Sequence, residues 1–214
     1  MTGIVLHHVP QSRSQRVLWL LRELGVMFEV REWPFDKTLR GEEFLALNPV
    51  GRVPALEIDG RPVWETGAIL QVLCERFPDA GLDRAPGHAE WIDWLIQIHF
   101  AETISQHAAV LTQGHLMLRD PSTRSPVVMK LEAARVGKCF DAIEARLDGD
   151  WLLRGGFSAA DVAVAQAAVM ARRFHRVGDR ARMAAWMDRC EAREAFPAED
   201  GGLYDRDFYE VPDA

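Results

Sequence analysis

Val53–Ile69, VPALEIDGRPVWETGAI, is the stretch around which the rest of the chain is organised. Val53-Pro54 opens a β-rich run through Ala55, Leu56 and Ile58; Asp59-Gly60 reads as a two-residue turn, and Arg61–Trp64 returns as a second short strand. Glu65-Thr66-Gly67 then begins a helix, because Ile69, Val72 and Leu73 fall at i, i+3 and i+4. A hairpin therefore delivers a helix start beside a proline that opens a strand. The first N–H groups of a helix have no intrahelical acceptor and lie at the positive end of its dipole, so they favour an anion. Glu65 adds a carboxylate for an ammonium, and Thr66 adds a hydroxyl for a carboxylate. A free amino-acid head carries both groups. A cis Val53-Pro54 bond would leave the N–H and C=O of Val53 free for a ligand. Each part also has a plain reading: Glu65 suits the dipole, Thr66 is a first-turn residue, and Asp59-Gly60 is an ordinary hairpin turn.

Upstream, Gly3–His7 reads as a short buried strand, and Arg13–Leu24 as a helix with Val17, Leu20, Leu21 and Leu24 on one face, ended by Gly25. Phe28–Trp33 alternates as a second strand, and residues 34–48 are irregular and then weakly helical up to Asn48-Pro49. The order β-α-β-α-β-β-α predicts a small mixed sheet with helices on its faces over residues 1–77. Residues 78–87 carry prolines, glycines and charges without a period and read as a linker. Everything from residue 88 to 214 reads as all-α. Trp91, Trp94, Leu95 and Ile98 start a long helix toward Arg119, broken by Asp120-Pro121-Ser122. Val136, Cys139, Phe140, Ile143 and Leu147 line a second. Ser158-Ala159-Ala160-Asp161 is a capping box ahead of a helix to Arg173, and a shorter helix follows near Arg180–Cys190.

Composition narrows the function classes. At 214 residues the chain can bury a sizeable core, and 48% hydrophobic with 27% charged residues is ordinary for a globular protein. A net charge of −7 argues against a nucleic-acid surface, and no apolar run approaches a membrane span of about 20 residues. No basic leader precedes Ile4-Val5-Leu6, and Cys74, Cys139 and Cys190 are isolated, without a CxxC. The expectation is a cytoplasmic protein with reduced, buried thiols and no disulfide-exchange chemistry.

Residues 48–56, NPVGRVPAL, followed by Glu65-Thr66-Gly67-Ala68-Ile69, resemble the glutathione-binding half of the glutathione transferases. The second half is similar too. Trp151-Leu152-Leu153 with Phe157–Val162 resembles the buried capping motif of that family, and residues 189–196, RCEAREAF, its late-helix signature, with Glu194 where proline is usual. The resemblance implies a thioredoxin-like α/β N-terminal domain and an all-α C-terminal domain, glutathione as co-substrate, no metal, and a homodimer. It implies that the Val53-Pro54 bond is cis, that Glu65 and Thr66 hold the γ-glutamyl end, and that Arg52 lies near the glycine carboxylate. In the dimer, apolar residues of the long helix, among them Trp91, Trp94, Leu95, Ile98, Phe100 and Ile104, would partly face a second copy.

Glutathione chemistry needs a thiolate, so the protein must supply a hydrogen-bond donor and a positive helix end. Family members carry Tyr, Ser or Cys in the strand-to-helix turn, here His7-His8-Val9-Pro10-Gln11-Ser12-Arg13-Ser14. Without Tyr or Cys there, Ser12 is the first candidate, and His7, Gln11 and Ser14 are the alternatives. Measured back from Val17, the family's catalytic position falls nearer Gln11, and His7 falls where tyrosine-type members place their tyrosine. Ser12 has a purely structural alternative: Ser12-Arg13-Ser14-Gln15 has the form of a capping box. Arg13 in a first helical turn opposes the dipole, which predicts a nearby anion. Ile98, His99, Glu102, Ile104 and His107 are the candidates for contact with a small hydrophobic electrophile, with core or dimer packing as their plainer role. His99 and His107 stand eight apart, not the four that pairs metal ligands on one helix face. Two functions compete: a conjugating enzyme, and a non-catalytic module of the same fold acting as a binding or regulatory partner. The presence of Val53-Pro54 together with Glu65-Thr66 favours the enzyme. A glutaredoxin-like reductase needs a cysteine in the turn and finds none.

Overall fold

The computed structural model describes residues 3–198, 204 and 206–210. Strands β1 (Ile4–His8), β2 (Glu29–Glu32), β3 (Ala55–Ile58) and β4 (Arg61–Trp64) form one sheet in the order β2-β1-β3-β4. β1 runs parallel to β2 and antiparallel to β3, and β3 pairs antiparallel with β4. The β3–β4 turn has Asp59 at φ +52° and Gly60 at φ +79°, the pair of positive φ values that suits a tight hairpin. Helices α1 (Ser14–Glu23), α2 (Glu42–Leu45) and α3 (Thr66–Arg76) complete this half. The helical half holds α4 (Trp91–Thr112), α5 (Pro126–Arg146), α6 (Ala159–Ala171) and α7 (Ala181–Glu191). A mixed sheet with flanking helices followed by a helical half is the architecture expected from the sequence.

Two elements differ from their sequence patterns. β2 is shorter than Phe28–Trp33, and all four of its residues are exposed. It is the sheet edge, where Glu29, Arg31 and Glu32 discourage further pairing. The long helix stops at Thr112 rather than near Arg119 and passes into a π-turn over Gln113–Met117. Gly114 lies in that turn where α5 comes close: a Cβ there would sit 3.1 Å from Met129 Sδ.

The main core runs through both halves. Leu20 and Leu21 of α1, Ile69 and Leu73 of α3, Ile98 and Ile104 of α4, Phe140 of α5 and Trp186 of α7 are all fully buried. α6 lies at its centre, with every residue from Ala159 to Ala168 buried; its alanines and valines suit a helix with no solvent face. Its start is the expected capping box. Ser158 Oγ accepts from the N–H of Ala160, and Asp161 accepts from the N–H groups of Ser158 and Leu152 and from Trp186 Nε1, the last three at 2.9–3.0 Å. Burial pushes the Asp161 carboxyl up from the ordinary aspartate range, against the pull of those donors. A smaller cluster of Val9, Leu39, Phe44 and Ala55, with Trp33 and Val53 packed on it, lies where the β1–α1 loop meets the start of β3.

Candidate active site between the two halves

The loop from β1 to α1 is held by its own hydroxyls. Gln11 takes a left-handed conformation, φ +55°, and α1 begins only at Ser14. Ser12 Oγ donates to the Val9 carbonyl at 2.7 Å, lies 2.7 Å from Ser14 Oγ, and accepts from the Ser14 N–H at 3.2 Å. Ser14 Oγ accepts from the Val9 N–H at 3.1 Å and lies 2.8 Å from His8 Nδ1. The expected Ser12–Gln15 capping box is not formed. Gln15 sends its amide to the Pro197 carbonyl instead, and Arg13, the residue before the helix, makes no capping bond with its side chain.

The alternatives to Ser12 also have partners within the chain. His7 is fully buried; Trp33 Nε1–H donates to its Nδ1 at 3.0 Å, so its hydrogen sits on Nε2, 2.9 Å from Glu57 Oε1. Both ring nitrogens of His7 are therefore used within the sheet half. Gln11 Oε1 accepts from the N–H of Tyr204 at 2.9 Å.

The Val53–Pro54 bond is cis. β3 begins only at Ala55, and among the described residues the N–H and C=O of Val53 have no hydrogen-bond partner. Arg52 is exposed just before it, in a turn fixed by the bond from Asn48 Nδ2 to the Arg52 carbonyl. Gly51 is required in that turn: its φ is +66°, and a Cβ would lie 2.7 Å from the Leu39 carbonyl oxygen. Glu65 precedes α3 at φ +72°, ψ +117°, exposed and without a side-chain cap bond. A non-glycine residue in that region costs of order 1–3 kcal/mol, and such residues cluster at ligand clamps and switches. Thr66, buried, opens the helix.

Of the residues expected at an electrophile site, Ile98 and Ile104 are fully buried in the main core, and Ile98 lies against Gly67 in the first turn of α3. Glu102 accepts from Arg13 Nη1 at 3.0 Å and pairs with the fully buried Arg16, which supplies the anion that Arg13 requires. His107 is engaged with Glu132, 2.6 Å from its Nδ1. His99 is exposed beside the first turn of α3, its ring 3.8 Å from where a Gly67 Cβ would be. The open cleft lies elsewhere. About 500 Å³ of space is lined by Val9 and Pro10 of the loop, Trp33, Pro34 and Phe35 after β2, and Leu116, Met117 and Arg119 around the π-turn. These residues sit in irregular segments with no period for a sequence pattern to detect.

Residues 1–74 match the model for the N-terminal domain of glutathione S-transferases, and residues 126–189 the model for their C-terminal domain. Glutathione S-transferase 3 of Zea mays is 31% identical over 212 residues, covering 92% of each chain. The chain belongs to the glutathione S-transferase family. GstB of Escherichia coli strain K12 is 29% identical over 72% of this chain and 76% of its own. Among solved structures, a glutathione transferase from Methylococcus capsulatus superposes with a TM-score of 0.77 at 27% identity, over 90% of this chain and 95% of its own. A sphingomonad glutathione S-transferase complexed with glutathione gives 0.76 at 26% identity, over 90% and 94%.

In this glutathione S-transferase the β1–α1 loop is tied to the helical half by buried polar groups. Arg16 donates to Gln166 Oε1 and Ser105 Oγ besides Glu102, and Gln166 Nε2 donates to the Ser12 carbonyl at 3.2 Å. The three cysteines are buried. Desolvation pushes Cys74 up to about 12 and raises Cys139 and Cys190 as well, so none presents a thiolate near neutral pH. Among the described residues no group of three His, Cys, Asp or Glu is arranged to hold a metal ion.

Proposed function

We propose that this chain is a glutathione transferase that holds glutathione across the starts of α1 and α3 and directs its sulfur at a small hydrophobic electrophile. The observation that carries the reading is the exposed, uncapped, left-handed Glu65 at the start of α3, together with Val53, whose main-chain groups have no partner among the described residues. The γ-glutamyl ammonium pairs with Glu65, and its carboxylate takes the Thr66 hydroxyl and the first N–H groups of α3. Val53 offers its N–H and C=O to the main chain of the cysteinyl residue, and Arg52 meets the glycine carboxylate. The sulfur then lies against the β1–α1 loop.

There the Ser12 hydroxyl turns from the Val9 carbonyl to donate to the thiolate, and the positive end of α1 adds to its stabilisation. The thiolate attacks the electrophilic carbon, a C–S bond forms, and the leaving group departs with its electron pair or, in an addition, the neighbouring atom takes a proton from water. The apolar cleft of Val9, Pro10, Phe35, Leu116 and Met117 receives the electrophile. Such conjugation is detoxification chemistry, carried out in the cytoplasm. The active form is a homodimer. α4 leaves Ile92 and Ile96 exposed, and Trp64 and Val72 are exposed on β4 and α3, an apolar surface for a second copy to cover. Trp94, Ile98 and Ile104 are buried within the chain and take no part in that surface.

The test is retention on immobilised glutathione followed by turnover of a general aryl halide. Retention with conjugate formation is expected. Retention with no turnover of any electrophile would leave a binding module instead, and no retention would remove the reading.

A further inference from the structure

His8 closes β1 with 2% of its surface exposed, and the thiol chemistry above does not use it. It does touch the loop hydroxyls. His8 Nδ1 is 2.8 Å from Ser14 Oγ, Ser14 Oγ is 2.7 Å from Ser12 Oγ, and both hydroxyls reach the Val9 carbonyl oxygen, Ser12 at 2.7 Å and Ser14 at 3.1 Å. Val9 is 3% exposed, so that carbonyl depends on these hydroxyls rather than on water.

Two hydroxyls own two hydrogens, which must be shared among the Val9 carbonyl, the bound sulfur and, when it carries no hydrogen, His8 Nδ1. If Nδ1 is bare, the Ser14 hydrogen is drawn to it. Ser12 is then the sole donor left for the Val9 carbonyl, and turning toward the sulfur orphans a buried acceptor. If Nδ1 carries a hydrogen, it donates to Ser14 Oγ, which also accepts the Val9 N–H, and the Ser14 hydrogen is directed onto the carbonyl. Ser12 is then released.

Resting on the role proposed for Ser12, we infer that His8 and Ser14 are positioning residues: a hydrogen on His8 Nδ1 turns the Ser14 hydroxyl onto the Val9 carbonyl and so frees the Ser12 hydroxyl for the glutathione sulfur. Neither touches the reacting atoms. No proton is consumed; the arrangement only decides which hydroxyl serves the backbone.

The bound thiol can be titrated by its thiolate ultraviolet absorbance in the protein saturated with glutathione. Ser12→Ala is expected to raise the thiol pKa by about one unit, meaning about tenfold less thiolate below it. Ser14→Ala should produce a similar rise, because Ser12 becomes the only donor to Val9, with the glutathione Kd unchanged when measured below the bound thiol pKa. Ser14→Thr keeps the hydroxyl and should restore the lower value. Because Ser14 acts through Ser12, the double variant Ser12→Ala/Ser14→Ala should be no worse than Ser12→Ala alone. A rise with Ser12→Ala but none with Ser14→Ala, or additive rises, overturns the inference and leaves the function standing. No rise with Ser12→Ala removes the role of Ser12 and the inference with it, while failure of the unmodified protein to bind glutathione is a failure of the proposed function itself. Should Ser14→Ala not fold, nitrogen-15 NMR of the unmodified protein with glutathione reads the His8 ring directly. A hydrogen on Nδ1 supports the inference; a bare Nδ1 overturns it.

Discussion

The starts of α6 and α3 have the same problem, a turn of N–H groups without intrahelical acceptors, and solve it in opposite ways. At α6, Ser158 and Asp161 close on themselves, and the Asp161 carboxylate also gathers the N–H of Leu152 and the indole of Trp186. Nothing is left for a ligand, and the end is buried. At α3, Glu65 stands exposed in a left-handed conformation with no cap bond. The first end holds the helical half together. The second is left exposed and uncapped, at a conformational cost, where the proposed function places an amino-acid head. The difference teaches how to separate a folding residue from a binding residue of the same chemical type: by whether the carboxylate already has its donors.

The comparison breaks or sharpens through a graded set of substitutions. Asp161→Ala strips three buried N–H donors of their acceptor, each worth about 1–3 kcal/mol, and should cost about 4 kcal/mol of stability in chemical denaturation while any folded fraction binds glutathione normally. A loss of affinity without a loss of stability would erase the distinction. Glu102→Gln leaves the buried Arg16 guanidinium with a neutral partner and should cost about 2 kcal/mol, less than for a fully buried pair because Glu102 is partly exposed. Glu65→Ala should leave the denaturation midpoint nearly in place and weaken glutathione about ten- to a hundredfold by calorimetry. Unchanged affinity in that variant would remove the clamp. Glu65→Gly sharpens the contrast most: the same affinity is lost, and relief of the left-handed conformation should raise stability by about 1 kcal/mol.

The capped end was legible in the sequence and the open end was only half so. Ser158 and Asp161 at the spacing of a capping box, ahead of an apolar run, carry their own mechanism, and the structure reproduces it. The same spacing in Ser12 and Gln15 misleads, because Gln15 is claimed by the Pro197 carbonyl, far along the chain. The hairpin and the order of strands and helices followed from local patterns. Glu65 and Thr66 could be picked out from their place at a helix start, but the conformation of Glu65 is set by how the hairpin delivers it. The cleft was not legible. Phe35, Leu116 and Met117 lie in a loop and a π-turn, and only packing of the two halves brings them beside Val9 and Pro10. Ile98 and Ile104 sat on a helix face that suggested a binding surface, and both are fully buried in the core that joins the two halves.

The ties that the β1–α1 loop and α1 make to the rest of the chain also set an order of events during synthesis. Gln166 reaches the Ser12 carbonyl across 154 positions, Arg193 clasps Glu23 across 170, Pro197 takes the amide of Gln15 across 182, and Tyr204 reaches Gln11 across 193. The sheet half leaves the ribosome first, but its first helix and loop wait for partners made more than 150 positions later. At about 5–20 residues per second, that wait lasts on the order of ten seconds or more. A chain cut before Gln166 lacks all four of these ties, so the β1–α1 loop is left without the groups that hold Ser12, Gln15 and Gln11 in place.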